Sequence, residues 1–254
     1  MVKEELAKHA LITAILHLLK KLSQVRLLTC KLLRPNAEMR VSFSALLRIC
    51  QGGRYVLVRN LHRHEVFGPF GGVFKYYQDA VPGLDTLLFR PQDVGPGTDM
   101  KSDLRGFIPR KNIIKMTKWY AKRSQREEPE QCLLRELREE LKEVKLLRDL
   151  GVPKTLHPAH VRTVIEGPER VPGLPYTQYR IFEVYEARSS QTEVLEFFDG
   201  LFEEATRHRD LLVANSDEII AGRAHDGRLI GHHSVYLVTG KRVRPDVPSF
   251  VSDS

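Results

Sequence analysis

The stretch EEPEQCLLRELREELKEV, residues 127–144, is the most informative part of this 254-residue sequence. Pro129 suits the first turn of a helix, where the missing N–H of proline is not needed. Apolar residues then recur at helical spacing, and this stripe consists of Leu133, Leu137, Leu141 and Val144. We therefore predict a helix that begins near Pro129 and buries one face against a core.

Three carboxylates project from an adjacent face of the predicted helix, at positions i, i+3 and i+4: Glu136, Glu139 and Glu140. Like charges on neighbouring turns repel one another and weaken an isolated helix. Hard oxygen ligands are those that Mg²⁺ or Mn²⁺ prefers, and a bound cation would relieve the repulsion. Because basic residues are interleaved with the acids, a solvated charged helix face is the alternative interpretation of the helix by itself.

A resemblance to the Nudix box begins at residues 135–140, where RELREE matches the R-E-apolar-x-E-E core of the box. Glu127 lies eight positions before Arg135, where the box has its upstream glutamate. Lys142 stands where the box has its late glycine. The helix is thus similar to the metal-binding helix of Nudix domains.

The glycine pair of the box resembles Gly71 and Gly72, in the sequence GPFGGV at residues 68–73. Between Gly72 and Glu127 lie 54 residues, whereas the box normally has five, so about 49 residues interrupt it. A box split in this way looks most like that of the SMODS-associated Nudix domains, which accompany cyclic-oligonucleotide antiviral systems in bacteria. We expect the glycine pair to form a loop that faces the ligand, with a bulge or tight turn in a strand as the alternative.

The resemblance implies a Nudix-like α/β/α sandwich with a mixed β-sheet, an N-terminal helix and a long insertion. Its α/β class also follows from alternating strand and helix patterns. By resemblance, the metal ligands for Mg²⁺ or Mn²⁺ are Glu136, Glu139 and Glu140, and Glu139 or Glu140 also serves as the base. By resemblance too, Arg135 pairs with Glu127, and Gly71 and Gly72 line the phosphate site.

These features give two leading hypotheses for function. The first is divalent-metal-dependent hydrolysis of a nucleoside diphosphate linked to another group, in bacterial antiviral nucleotide signalling. The second is a module that senses a nucleotide without hydrolysing it, which the split box and Lys142 favour. Processing or binding of RNA rests only on the positive charge and is not favoured.

Composition is consistent with a soluble globular protein, since 42% of residues are hydrophobic and 28% are charged. The net charge of +8 favours anionic partners such as nucleotides, nucleic acid or an acidic membrane surface. The three cysteines have no zinc or disulfide spacing, and the N-terminus lacks a secretory signal. We therefore expect a cytoplasmic protein.

The chain divides into an N-terminal amphipathic helix with a linker (1–36), a Nudix-like domain (37–241) and a flexible tail (242–254). The N-terminal helix is too short and too charged to span a bilayer, and it can pack on the domain, form a homodimer or lie on a membrane. Residues 75–123 form the insertion. Its basic flank, which extends to Arg126, can meet phosphates or be a solvated face.

Shorter patterns predict the remaining elements. Strands are expected from residue 39, at 54–59, 161–165, 177–185 and 211–214, with a hairpin between the first two. Helices are expected at 112–121, at 231–238 and after Asn215, where Glu218 completes a capping box. His232 and His233 have no companion ligand at metal spacing in the sequence and are interpreted as structural.

Overall fold

The computed structural model describes residues 34–60, 65–92, 102–146, 150–171, 173–187 and 192–245. The predicted N-terminal helix lies outside these ranges, and so does the homodimer contact that was predicted for it. The middle of the insertion and most of the predicted tail lie outside them too.

The described chain alternates strands with helices. The strands are β1 (Glu38–Arg48), β2 (Cys50–Gln51), β3 (Arg54–Asn60), β4 (Val66–Gly68), β5 (Phe70–Val73), β6 (Arg90–Pro91), β7 (Arg105–Pro109), β8 (Pro158–Arg170), β9 (Thr177–Ala187), β10 (Leu211–Asn215) and β11 (Leu229–Ile230). The helices are α1 (Val81–Thr86), α2 (Ile113–Ala121), α3 (Pro129–Glu143), α4 (Thr192–Glu204), α5 (Ser216–Ala221) and α6 (Val235–Val238).

Strand β1 is the centre of a mixed sheet with the order β6-β7-β1-β9-β8. It runs parallel to β9 along nearly its whole length. On its other edge it pairs antiparallel with β7 over residues 38–42 and with β5 over residues 44–47. The insertion therefore supplies β6 and β7 to the sheet, and β7 continues the line of β5 along one edge of β1.

A second sheet has the order β10-β3-β4-β11, with β2 on β3. The predicted hairpin is present as β2 and β3, and it turns at Gly52 and Gly53, which have φ of 55° and 75°. Glycine adopts such positive φ values readily because it has no Cβ.

The two sheets form the middle layer of an α/β/α sandwich, because the faces of their strands enter two different cores. On β1, Met39, Val41 and Phe43 belong to a core shared with α2, α3 and α4. Leu46, on the opposite face, belongs to a core shared with α5 and α6. Both cores also contain residues of β3. This arrangement confirms the α/β class predicted from the sequence.

Local sequence signals predicted several elements correctly. Helix α2 lies where it was expected, and the capping box of α5 is formed: Asn215 Oδ1 accepts hydrogen bonds from the N–H groups of Asp217 and Glu218. Gly222 ends this helix with φ of 80°. Strand β8 is much longer than the predicted 161–165, because it pairs with β9 along most of its length.

A buried polar cluster joins the 3-10 turn His232–Ser234 to the central sheet. Glu166 of β8 contacts Arg180 of β9, accepts a hydrogen bond from Tyr236 and lies 3.4 Å from His232 Nε2. In the fold, Glu166 supplies the third potential metal ligand that the sequence around the two histidines lacks. Glu166, His232 and His233 offer ligand atoms within 4.8 Å of one another. Arg180 lies among them, with its Nη1 3.1 Å from His233 Nε2. The guanidinium already supplies positive charge to this cluster.

Glu166 should make the stability of the protein depend on pH. Burial alone would raise the pKa of Glu166, but His232, Arg180 and Tyr236 lower it from 4.5 to about 2. The stabilisation is therefore complete above pH 4.5 and is lost as the pH falls towards 2. A pKa that falls from 4.5 to about 2 on folding corresponds to a contribution of about 3 kcal/mol to the free energy of unfolding at neutral pH.

Urea unfolding of the wild type and of Glu166→Gln between pH 2 and pH 7 measures this contribution. The difference between the two proteins should shrink as the pH falls from 4.5 to 2. A constant difference over that range would contradict the assignment.

Candidate functional site

Helix α3 forms where its sequence predicts it. Pro129 occupies the first turn, and Gln131 Oε1 accepts a hydrogen bond of 2.9 Å from the Glu128 N–H. The apolar stripe is buried in the core, with Leu137 and Leu141 fully inaccessible to solvent. The helix passes Lys142 and ends at Glu143. Burial of the stripe fixes the rotation of the helix, and this sets the direction of its three carboxylates.

The predicted loop at Gly71 and Gly72 is wrong, because both residues belong to strand β5 and pair with β1. Gly71 has φ of 129°, and a Cβ there would overlap the carbonyl oxygen of Ala45. A Cβ on Gly72 would overlap the carboxylate of Glu136. The Gly71 N–H donates a 3.1 Å hydrogen bond to Glu140 Oε2. Glycine is thus favoured at Gly71 by its positive φ and the close approach of β1, and at Gly72 by the close approach of the Glu136 side chain.

The two halves of the interrupted box meet in space, and a largely buried ion pair contacts both of them. Arg135 Nε lies 2.8 Å from Glu127 Oε1, and Arg135 Nη2 lies 2.9 Å from Glu127 Oε2. The same Nη2 donates to the carbonyl oxygen of Val73 at 2.9 Å, and the Lys75 N–H donates to Glu127 Oε2 at 2.9 Å. Helix α3, the segment before it and the end of β5 are therefore held together by one guanidinium and one carboxylate.

The segment before Glu127 is anchored too, which corrects one expectation. Arg126 was predicted to lie in a basic flank that meets phosphates or solvent, but its side chain is 1% exposed. Its guanidinium carbon lies 4.2 Å from the ring centroids of both Phe74 and Tyr120. Cation–π contacts of this kind stabilise a desolvated guanidinium.

The three carboxylates of the box differ in exposure. Arg135 Nη1 lies 2.7 Å from Glu136 Oε1 and 3.4 Å from Glu139 Oε2. The Glu136 side chain is 16% exposed and that of Glu139 is 50% exposed. Glu140 is half-buried against β5. The structure therefore gathers all the site residues predicted from the sequence, with Glu139 on the solvent side.

Burial and mutual repulsion perturb two of these carboxyl groups. Burial raises the pKa of Glu136 to about 7, although the charge of Arg135 opposes the shift. Burial and then the charge of Glu136 raise the pKa of Glu140 well above its usual range, although the hydrogen bond from Gly71 opposes this. Half-buried carboxyl groups that repel each other in this way are stabilised by a nearby cation.

These residues fit a divalent cation. Glu136, Glu139 and Glu140 offer hard oxygen ligands on one side of α3, as Mg²⁺ and Mn²⁺ prefer. A cation there would relieve the repulsion that raises the pKa of Glu136 and Glu140. The donor set and its electrostatics therefore suit such an ion.

Asp103 is a residue of this region that the sequence did not reveal. It lies in the insertion, forms a β-bridge with Lys75 and is buried. Burial raises the pKa of Asp103 to about 6, against the charges of Arg105, Lys75 and Arg135. Because only the pairing of the inserted segment with Lys75 brings Asp103 here, no local pattern could have identified it.

Comparison with known protein families gives a match over most of the chain. The family model of the SMODS-associated NUDIX domain matches residues 38–238. Searches of curated proteins and of solved structures returned no significant match. Within the described residues, every helix is too short or too polar to cross a lipid bilayer.

The ion pair of Glu127 and Arg135 should be important for stability. Glu127→Gln removes the charge that accepts two guanidinium hydrogen bonds, so we expect the free energy of unfolding to fall by roughly 1–3 kcal/mol. Chemical denaturation at pH 7 measures the change. As a control, Glu203→Gln removes an exposed partner of Arg207 and should cost roughly 0.5 kcal/mol or less. Equal effects of the two substitutions would contradict a special role for the buried pair.

Proposed function

Because the chain belongs to the family of SMODS-associated NUDIX domains, we propose that it hydrolyses a nucleoside diphosphate linked to another group, with Mg²⁺ or Mn²⁺. The observation that carries the proposal is that Glu136 and Glu140 of α3 contact the glycine pair of β5 although 54 residues separate Gly72 from Glu127. This contact supports the proposal because the reaction needs the carboxylates of the helix and the glycine pair at one site.

The residues have distinct roles in the proposed reaction. A bound divalent ion supplies charge neutralisation of the diphosphate and lowers the pKa of water. Glu136, Glu139 and Glu140 would hold it, and Arg135 with Glu127 keeps the helix in position against β5. Water attacks phosphorus, the bond to the bridging oxygen breaks, and the proton of the water passes to Glu139 or Glu140. Glu139 is the more accessible of the two to solvent.

We place this activity in bacterial antiviral nucleotide signalling and in the cytoplasm. The first assignment rests on what the resemblance to SMODS-associated Nudix domains implies. The second is supported by the free thiols of Cys50 and Cys132, which suit a reducing compartment.

A nucleotide sensor without hydrolysis is the second candidate function. One specific observation favours it: the Gly71 N–H already donates to Glu140, so it does not point towards a phosphate. In addition, Gly71 and Gly72 form a strand where the box has a loop. A sensor would bind its nucleotide beside the carboxylates of α3 and release no product.

The carboxylates of α3 should bind Mn²⁺. Isothermal titration should detect binding to the wild type that Glu139→Gln combined with Glu140→Gln abolishes, because two of three oxygen donors lose their charge. The matched control combines Glu203→Gln with Glu204→Gln, which removes two adjacent carboxylates from α4 and should leave the affinity unchanged. Unchanged affinity in the Glu139 and Glu140 double variant would move the site elsewhere.

Turnover distinguishes the hydrolase from the sensor. We expect the protein with Mg²⁺ to cleave ADP-ribose or UDP-glucose at the diphosphate, and chromatography of the products measures the rate. Glu139→Gln should lower kcat by roughly 100-fold or more if this residue accepts the proton of water. Glu203→Gln should leave kcat unchanged. Nucleotide binding without product, in a protein that also binds Mn²⁺, would favour the sensor.

A further inference from the structure

Leu88 has a backbone conformation that is unfavourable for leucine. It follows helix α1, where the Leu88 N–H donates to the carbonyl oxygen of Asp85 at 2.9 Å. The next N–H, that of Phe89, donates to the carbonyl oxygen of Leu84 at 3.0 Å. These two hydrogen bonds form a Schellman motif, in which the residue at the position of Leu88 is left-handed and usually glycine. Leu88 has φ of 54°, which costs a leucine free energy that glycine would not lose.

The side chain of Leu88 is also exposed. Its exposed fraction is 53%, although the next residue, Phe89, is buried in the core. Single exposed apolar residues are common and by themselves indicate nothing. At this position, however, glycine would remove both the backbone strain and the exposed apolar surface. A leucine here is therefore favourable for stability only if another group covers its side chain.

Leu88 lines a surface cavity of about 450 Å³ between the insertion and the start of β1, which we call the Leu88 cavity. Its other apolar lining residues are Phe89, Ile108 and Pro109, and its acidic lining residues are Glu38 and Asp85. A cavity of this size has room for several side chains. The Leu88 cavity therefore offers an apolar wall with a polar rim.

The chain before β1 is fixed at the rim of the Leu88 cavity. The Lys111 N–H donates to the carbonyl oxygen of Pro35 at 2.9 Å, and Lys111 Nζ donates to Asn36 Oδ1 at 2.9 Å. Asn36 itself lines the cavity. Residues 1–33, which directly precede this anchored stretch, are therefore tethered beside the cavity.

The composition of residues 1–33 suits the Leu88 cavity. Their apolar residues recur at helical spacing, and this stripe consists of Leu11, Ile15, Leu18, Leu19, Leu22 and Val25. The segment has six lysines and arginines and two glutamates, so its net charge is +4. On the cavity rim Glu38 pairs with Arg90, and Asp85 adds a further negative charge. An apolar, basic segment is thus complementary to the cavity.

The tether also favours this segment over a separate partner. A flexible connection raises the effective concentration of a segment at its site to about the millimolar range, so weak apolar contacts are enough for occupancy. A second copy of the chain or a lipid surface has no such advantage.

We propose that the apolar stripe of residues 1–33 docks in the Leu88 cavity of its own chain and covers Leu88. The docked segment links the start of β1 with α1 and β6 of the insertion, and so gives the insertion a further contact with the sheet. This proposal is independent of the proposed hydrolysis, because the cavity contains none of the carboxylates of α3.

Replacement of Leu88 by glycine in the full chain distinguishes a covered side chain from an exposed one. If the segment covers Leu88, Leu88→Gly removes buried apolar surface and should lower Tm by roughly 2–4 °C. If the side chain lies in water, the same substitution should raise Tm, because glycine adopts φ of 54° readily. An unchanged or raised Tm overturns the proposal.

Lys145 is the matched control, because it occupies the same position after α3. Its N–H donates to the carbonyl oxygen of Lys142, and the Leu146 N–H donates to that of Leu141. Its φ is 63° and its side chain is exposed. Lys145→Gly should leave Tm unchanged or raise it, because it relieves the same conformation without removing apolar surface. A fall as large as that of Leu88→Gly would attribute the effect to glycine itself and overturn the proposal.

Dependence on the segment separates docking from the contacts that Leu88 already makes. In a full chain with Leu11, Ile15, Leu18 and Leu22 replaced by serine, Leu88→Gly should no longer lower Tm. The two sets of substitutions should therefore be non-additive, as expected for groups in contact. If Leu88→Gly lowers Tm equally in both backgrounds, its effect does not come from the segment, and the proposal is overturned.

A photocrosslink identifies the occupant of the cavity. The photoreactive residue p-benzoylphenylalanine replaces Asp85 in the full chain, or Leu88 if circular dichroism shows that the first variant does not fold. After irradiation, mass spectrometry should map the crosslink to residues 1–33 of the same chain. A covalent dimer would assign the cavity to a second copy, and a crosslink to lipid in phosphatidylglycerol vesicles would assign it to a membrane. Either result, or a folded variant without a crosslink to residues 1–33, overturns the proposal.

Discussion

The candidate site depends on one guanidinium group. Arg135 holds both oxygens of Glu127, the Glu136 carboxylate and the carbonyl oxygen of Val73. Through these contacts a single side chain fixes the segment before α3, the helix itself and the end of β5. Since a guanidinium has five donors in a rigid fork and stays charged, it is suited to such a junction, and lysine would not replace it.

The junction also explains how the box tolerates an interruption. Loop-closure entropy grows with the logarithm of length, so 54 residues in place of five cost about 2 kcal/mol more. Bidentate, charge-assisted bonds contribute energy of that order, roughly 1.5–3 kcal/mol each in mutational series. In addition, the inserted residues form β6 and β7 and so contribute their own pairing to the sheet. The interruption is therefore compensated locally, without a weaker core.

The sequence predicted what depends on neighbours along the chain. The period of the leucines predicted α3, and the Asn215–Glu218 pair predicted the start of α5. Prediction from the sequence failed where pairing between distant strands determines the structure. Gly71 and Gly72 lie in a strand only because β1 pairs with them. Likewise, Glu166 reaches His232 only through the order of the sheet, across 66 residues of chain. The carboxylate cluster was predictable because one helix carries it, whereas Asp103 reaches this region only through the pairing of the insertion with Lys75.

The shared edge of β1 has an evolutionary consequence. Because β7 covers residues 38–42 of this strand and β5 covers only 44–47, the inserted segment is part of the framework of the sheet. Deleting it to restore an ordinary box would expose the backbone of half a central strand, and such bare edges promote aggregation between chains. The insertion is thus an integral part of the sheet. Substitutions can change its surface, but its deletion in a single step would destabilise the fold.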